Sequence, residues 1–181
     1  MNSARGLARR IVVAAAAMCC ALALAGCASV SAPVVMTVNS GAFVRDTMPA
    51  RFTCAVGSKV VNPPVGWAGA PADTKSLALV VDDSDAPITP YVYWIVFNIS
   101  PASSYILEGQ LPPGARQALN SVGTASYDPP CPGAHSHEYR FTVYALNSML
   151  RLRNGASLES AWMAIAAATI GRGRLAVWAT S

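Results

Sequence analysis

The chain has 181 residues, 53% of them hydrophobic and 12% charged, with a formal net charge of +4. This excludes a disordered chain, which is poorer in apolar residues, and five cysteines are too few for a disulfide-dense miniprotein. Pro, Gly and charge interrupt the chain too often for a polytopic membrane protein, and the length suits one domain with a core of its own.

Residues 1–26 contain Arg5, Arg9 and Arg10, no acid, and an apolar run from Ile11 to Ala25. As a helix that run rises about 22 Å, short of a hydrocarbon core of ~30 Å, so it reads as an export signal. It ends in Leu24-Ala25-Gly26-Cys27, which resembles the bacterial lipobox, where the chain is cut before the Cys and the thiol takes lipid, palmitate among the acyl chains. The expectation is a lipoprotein signal peptide at 1–26, lipidated Cys27 with a tether at 27–35, and a domain at 36–181. That places the chain on the extracytoplasmic side of the bacterial cell envelope, with the membrane as partner. An ordinary signal peptide followed by an incidental Cys, or an uncleaved anchor, remains an alternative, and Arg9-Arg10 leaves the export route open. Without residues 1–26 the chain keeps ten basic and nine acidic side chains, so no nucleic-acid-binding face is expected. Cys54 and Cys131 are then an even pair in an oxidising compartment, either a disulfide or two buried thiols.

From Met36 to Leu146 the chain reads as strands and turns. Ser76–Asp82 is a short apolar run suited to a buried strand. Tyr91–Asn98 is β-branched and aromatic. Glu138–Leu146 alternates, with Tyr139, Phe141, Val143 and Ala145 on one face and Arg140, Thr142 and Tyr144 on the other. Pro-rich connections at Asn62-Pro-Pro, Asp85-Ala-Pro87, Leu111-Pro-Pro-Gly114 and Asp128-Pro-Pro-Cys-Pro-Gly133 separate them. One helix is expected near the end, capped by Ser157, with Glu159 in its first turn and Leu158, Trp162, Ile165 and Ala166 at helical spacing. Gly171 and Gly173 are expected to stop it, and Leu175–Trp178 to form a last short strand. Trp67, Phe141 and Trp162 are expected in the core. The pattern argues for a mainly β fold, a sandwich or barrel with helical decoration.

Two loops hold the polar residues that could do chemistry. Asp82-Asp83-Ser84-Asp85-Ala86-Pro87 places three carboxylates in four positions, and loop aspartates often only satisfy turn amides. Cys131-Pro-Gly-Ala-His-Ser-His-Glu138 contains both histidines. His135 and His137, two apart on a strand, share a face, and with Asp83 they allow a metal reading that lacks a further ligand at defined spacing. There is no Gly-x-Ser-x-Gly elbow and no phosphate-cradling glycine loop. Ser84 between two acids is a poor alkoxide.

Met48-Pro-Ala-Arg-Phe-Thr-Cys54, Asn62-Pro-Pro-Val-Gly-Trp67, Thr74-Lys-Ser-Leu-Ala-Leu79, Asp83-Ser-Asp-Ala-Pro87, Tyr127–Pro132 and His137-Glu-Tyr-Arg-Phe-Thr-Val-Tyr-Ala-Leu146 follow one another at compatible spacings. Together they resemble the phosphatidylethanolamine-binding proteins, which include the Raf kinase inhibitor-like proteins of bacteria. The resemblance covers about residues 36–180. It implies an antiparallel β-sandwich with one or two short helices near the C-terminus and a small pocket for anionic, phosphate-like or amphipathic head groups. Carried over by motif, the ligand-binding residues are Asp83, Tyr93, Pro130, His137 and Tyr139, with Asp85 bracing its loop. Three positions depart from the family pattern: Ser84 replaces a Pro, Glu138 an Arg, and Tyr93 a pocket His. Tyrosine donates a hydrogen bond but does not become a cation near neutral pH. Tyr91, Tyr93 and Trp94 suit a neutral or partly apolar ligand instead. The expected function is an envelope-anchored ligand-binding module without turnover, metal or cofactor. The alternatives are an inhibitor or regulatory partner of an envelope protease or kinase, or a metal-dependent or other hydrolase using His135, His137 and Asp83.

Overall fold

The computed structural model describes residues 32–86, 90–131, 133 and 136–179. The expected signal segment, Cys27 and His135 lie outside the described residues. The strands are β1 (Val34–Val35), β2 (Thr37–Asn39), β3 (Val65–Ala68), β4 (Ser76–Asp83), β5 (Tyr91–Ile99), β6 (Tyr105–Ile106), β7 (Arg116–Gln117), β8 (His137–Leu146) and β9 (Thr169–Ala179). Helix α1 spans Leu158–Ala168, and two short 3-10 segments cover Ala50–Phe52 and Cys54–Lys59.

A six-stranded sheet in the order β1-β9-β8-β4-β5-β7 packs against a three-stranded sheet, β2-β3-β6. β4 is central and buried along its whole length, which is why its sequence is a continuous apolar run rather than an alternation. Leu77, Leu79 and Val81 face Val65, Trp67 and Ile106 of the small sheet. Ala78 and Val80 on the opposite face share a second core with Ala161, Ile165 and Ala168 of α1. Each fully buried Val or Leu contributes roughly 1.5–3 kcal/mol to this three-layer arrangement. On β8, Tyr139, Phe141, Val143 and Ala145 all enter the core between the sheets, the face their alternation assigns to them.

The structure corrects four expectations. The large sheet is mixed, because β1 runs parallel to β9 while its other pairs are antiparallel. Val34 and Val35, read as tether, are the residues that make this pairing. The last strand is not short: it begins at Thr169, directly after α1, and runs eleven residues. Gly171 and Gly173 therefore lie inside a strand, where they let other backbone come close. A Cβ at 173 would strike the Met36 carbonyl, and one at 171 would meet Pro71 at 3.0 Å and the Val34 carbonyl at 3.2 Å. Finally, α1 is capped by the Ser157 hydroxyl, which accepts the Ser160 N–H at 3.2 Å, but it buries Ala161, Ile165 and Ala168 rather than Trp162. Trp162 is 40% exposed. Small residues at 161 and 168 let the helix sit close to the sheet, leaving the indole no room underneath.

Candidate functional site

Asp82 and Asp83 are consecutive on β4 and so point to opposite faces. Asp82 is ion-paired with Arg140 of β8, with Arg140 Nε 3.2 Å from Asp82 Oδ1 and its Nη2 on Oδ2. Asp83 points the other way. Its Oδ2 lies 2.9 Å from His137 Nδ1, and its Oδ1 accepts the Asp85 N–H at 2.7 Å. The Asp83 side chain is 4% exposed and that of His137 31%. A buried carboxylate thus orients a half-buried imidazole. With Nδ1–H on Asp83, the neutral ring presents an Nε2 lone pair, and the protonated ring presents an Nε2–H.

Strand register supplies the neighbours. Asp83 is paired with Tyr91 of β5 on one side and Tyr139 of β8 on the other. The β4–β5 register slips between Val81–Trp94 and Asp82–Val92, leaving Tyr93 as the extra residue of a β-bulge. A bulge re-aims side chains and ends simple alternation. Tyr93 and Trp94, though adjacent, therefore both pack on the core between the sheets. The bulge carbonyl is not orphaned, since Tyr93 O accepts the Asp128 N–H at 3.0 Å and Asn120 Nδ2 at 3.4 Å. The rings form a continuous row: Tyr91 to Tyr93 is 4.6 Å between centroids, Tyr93 to Tyr139 5.6 Å, and Tyr139 to His137 6.3 Å. Tyr139 is only 1% exposed, so it lies beneath the others, while Tyr91, Tyr93 and His137 are half-buried.

The Tyr91 hydroxyl donates to Asp128 Oδ2 at 2.9 Å. Burial and the hydrogen bond and charge of Asp128 push its pKa up to about 12. Burial and the Asp83 charge push Tyr139 to about 12, partly opposed by the Tyr93 hydroxyl. Tyr93 rises furthest, through burial, then Tyr139 and Asp83. All three are neutral phenols at physiological pH.

The Pro-rich turn is fastened from below. Pro130 is buried and its carbonyl accepts the Cys54 N–H at 3.0 Å. Cys54 and Cys131 form a disulfide, with Cα atoms 5.2 Å apart. The Tyr127 hydroxyl donates to Phe52 O at 2.9 Å, and its ring meets Trp94 edge-on at 5.7 Å. Across the site, Asp85 Oδ2 accepts the Glu138 N–H at 3.0 Å, tying the aspartate loop to β8. The Ser84 hydroxyl donates to Glu138 Oε1 at 3.2 Å. Two departures from the family pattern, 54 residues apart in sequence, are therefore hydrogen-bond partners.

The structure thus brings Asp83, Tyr93, His137 and Tyr139 together, with Pro130 in the turn fastened to the Cys54 segment. Sequence reasoning missed Asp128, which holds the Tyr91 hydroxyl. Its signal was weak, an acid opening a Pro-Pro turn. It also missed the Asp82–Arg140 pair, for which the alternation of β8 placed Arg140 on the outer face without naming a partner. Among the described residues, no group of three or more His, Cys, Asp or Glu side chains is placed to hold a metal ion.

The family model described as phosphatidylethanolamine-binding protein matches residues 39–179. The UPF0098 protein of the archaeon Methanothermobacter thermautotrophicus is 40% identical over 136 residues, covering 72% of this chain and 89% of that one. LppC of Mycobacterium tuberculosis, described as a candidate lipoprotein, is 42% identical over 143 residues, covering 77% and 70%. Among solved structures, a candidate phosphatidylethanolamine-binding protein homologue of Chlamydia trachomatis superposes with a TM-score of 0.71 at 33% identity, covering 80% of this chain and 96% of that one. Escherichia coli YbcL, described as a member of the mammalian family of these proteins, gives 0.72 at 25% identity, covering 81% and 98%.

Proposed function

The chain belongs to the phosphatidylethanolamine-binding protein family, and on that premise we propose that it is an envelope-anchored ligand-binding module. Its site receives the polar head group of a small amphipathic molecule. The observation that carries this reading is the buried Asp83 carboxylate holding His137 Nδ1 at 2.9 Å beside a row of neutral phenols. Asp83 fixes the ring, His137 and Tyr93 meet the ligand, and Tyr139 forms the floor. Anchoring through Cys27 draws support from the lipobox-like sequence and from the description of the mycobacterial relative as a candidate lipoprotein.

Isothermal titration with glycerophosphoethanolamine, which offers both a phosphodiester and an ammonium, tests the reading. The wild-type chain is expected to bind and the His137→Ala variant to lose about tenfold or more, the scale of one hydrogen bond to a charged group. Equal affinity in the two proteins, or no binding to either, would overturn it. Tyr105, Leu107 and Leu111 line an exposed groove of about 380 Å³. That groove is built on the β6 segment rather than on β4, β5 and β8, so it lends no weight to a protein partner docking at this site.

A further inference from the structure

Resting on the reading of Cys27 as the lipid anchor, we infer that the end of the domain opposite the candidate site docks on an anionic phospholipid surface. The first observation is charge. Five cations gather where β4 begins and β8 finishes. Lys75 precedes β4, and its N–H donates to Leu146 O at 2.8 Å. Arg172 pairs with Tyr144 near the end of β8. Arg116 pairs with Phe97 near the end of β5, and its guanidinium donates to Leu152 O. Arg151 and Arg153 flank Leu152 in a loop pinned to β5, where Leu150 exchanges hydrogen bonds of 2.8 and 2.9 Å with the Asn98 side chain. All five residues are exposed, and among the described residues none of them is ion-paired. They share this end with two acids, Asp73 in the turn before Lys75 and Glu159 in the first turn of α1. The other end has the reverse balance. Asp82, Asp83, Asp85, Asp128 and Glu138 lie there with Asp46, whose carbonyl accepts the Trp178 N–H at 2.7 Å, against Arg45 and Arg140.

The second observation is where the chain enters. β1 runs parallel to β9 with Val34 opposite Gly171, so the chain arrives from the side of Thr169, which is paired with Leu146 at the basic end. Cys27 precedes Val34 by seven residues, which reach at most about 25 Å. That is shorter than β8, whose ten residues span about 34 Å. A lipid at Cys27 therefore brings the basic end to the bilayer first. The third observation is apolar surface at the same end, where Met149 is 54%, Val34 49% and Val35 87% exposed. Interfacial binding combines buried apolar area with attraction of basic side chains to anionic lipid. The attraction fades over about 10 Å at 0.1 M salt, so the end next to the anchor is the one that feels it. The same surface repels the acidic end and turns the candidate site away from the bilayer.

The test is co-sedimentation of the mature chain carrying Cys27→Ser, so that no acyl chain contributes, with phosphatidylglycerol–phosphatidylcholine vesicles or phosphatidylcholine vesicles. Binding to the anionic vesicles is expected to be tighter by about tenfold or more and to be lost at about 0.5 M salt. The double variant Arg151→Gln, Arg153→Gln is expected to lose about tenfold, whereas Arg45→Gln, Arg51→Gln, with the same change in net charge away from this end, is expected to bind as the parent does. Equal binding to both vesicles, binding to neither, or equal loss in the two double variants would overturn the proposal. Failure of the anchor itself is read separately, from detergent partition of the acylated chain. Retention of glycerophosphoethanolamine binding by the Arg151, Arg153 double variant is expected, and its loss would overturn the separation of the docking end from the candidate site.

Discussion

At the scale of single residues, the site is a set of groups whose ionisation is controlled by burial. Tyr91 and Tyr139 are each raised from the ordinary 10 to about 12. The folded state therefore favours their protonated forms. The stability they contribute is fully present below pH 10 and is lost as pH rises from 10 towards 12. A spectrophotometric titration of the chain's six tyrosines at 295 nm is expected to show late-ionising phenols near pH 12 that diminish in Tyr91→Phe and Tyr139→Phe. Ionisation of every tyrosine near pH 10 in the folded protein would contradict the account. Residues of the candidate site were legible in sequence where they stand in ordered motifs, as Asp83, Pro130, His137 and Tyr139 do. Asp128 was not, because its role depends on Tyr91 reaching it from another strand at 2.9 Å. No spacing within one segment encodes such a contact.

At the scale of elements, β4 and β8 were readable because their environments are simple. One is covered on both faces and one alternates. β5 was readable as a strand, but the bulge at Tyr93 was not. It shows in sequence only as two adjacent large aromatics, which fit a covered strand equally well. The glycines of β9 misled for a physical reason. Gly171 and Gly173 look like helix stops, yet their missing side chains make way for the Val34–Met36 segment running alongside β9. Gly173→Ala is expected to cost about 1–3 kcal/mol by overpacking, lowering the Tm by about 2–10 °C. Gly41→Ala, at a position with nothing within 4 Å of its Cβ, is the control. Equal melting of the two variants in a thermal scan would show that β9 tolerates a side chain there.

At the scale of the whole molecule, a three-layer β-domain presents the candidate site where the ends of β4, β5 and β8 meet, braced by a disulfide that links residues 77 apart. The mainly β architecture was legible from strand count and proline punctuation. The parallel edge strand was not, since two exposed valines, Val34 and Val35, carry no sign of their partner. No helix among the described residues is long and apolar enough to cross a membrane; the proposed lipid attachment at Cys27 lies outside those residues. In cells, Cys27→Ser is expected to move the protein from the detergent phase to the aqueous phase of a Triton X-114 partition. An unchanged distribution would remove the lipid anchor. The central claim is that head groups bind at Asp83, Tyr93 and His137. Chemical-shift mapping of the labelled mature chain during titration with glycerophosphoethanolamine tests it most directly. The account expects saturable shifts centred on the His137 ring and the backbone amides of Asp83, Tyr91 and Tyr93. Shifts centred instead on the Ala102–Pro113 groove, or none anywhere, would contradict it.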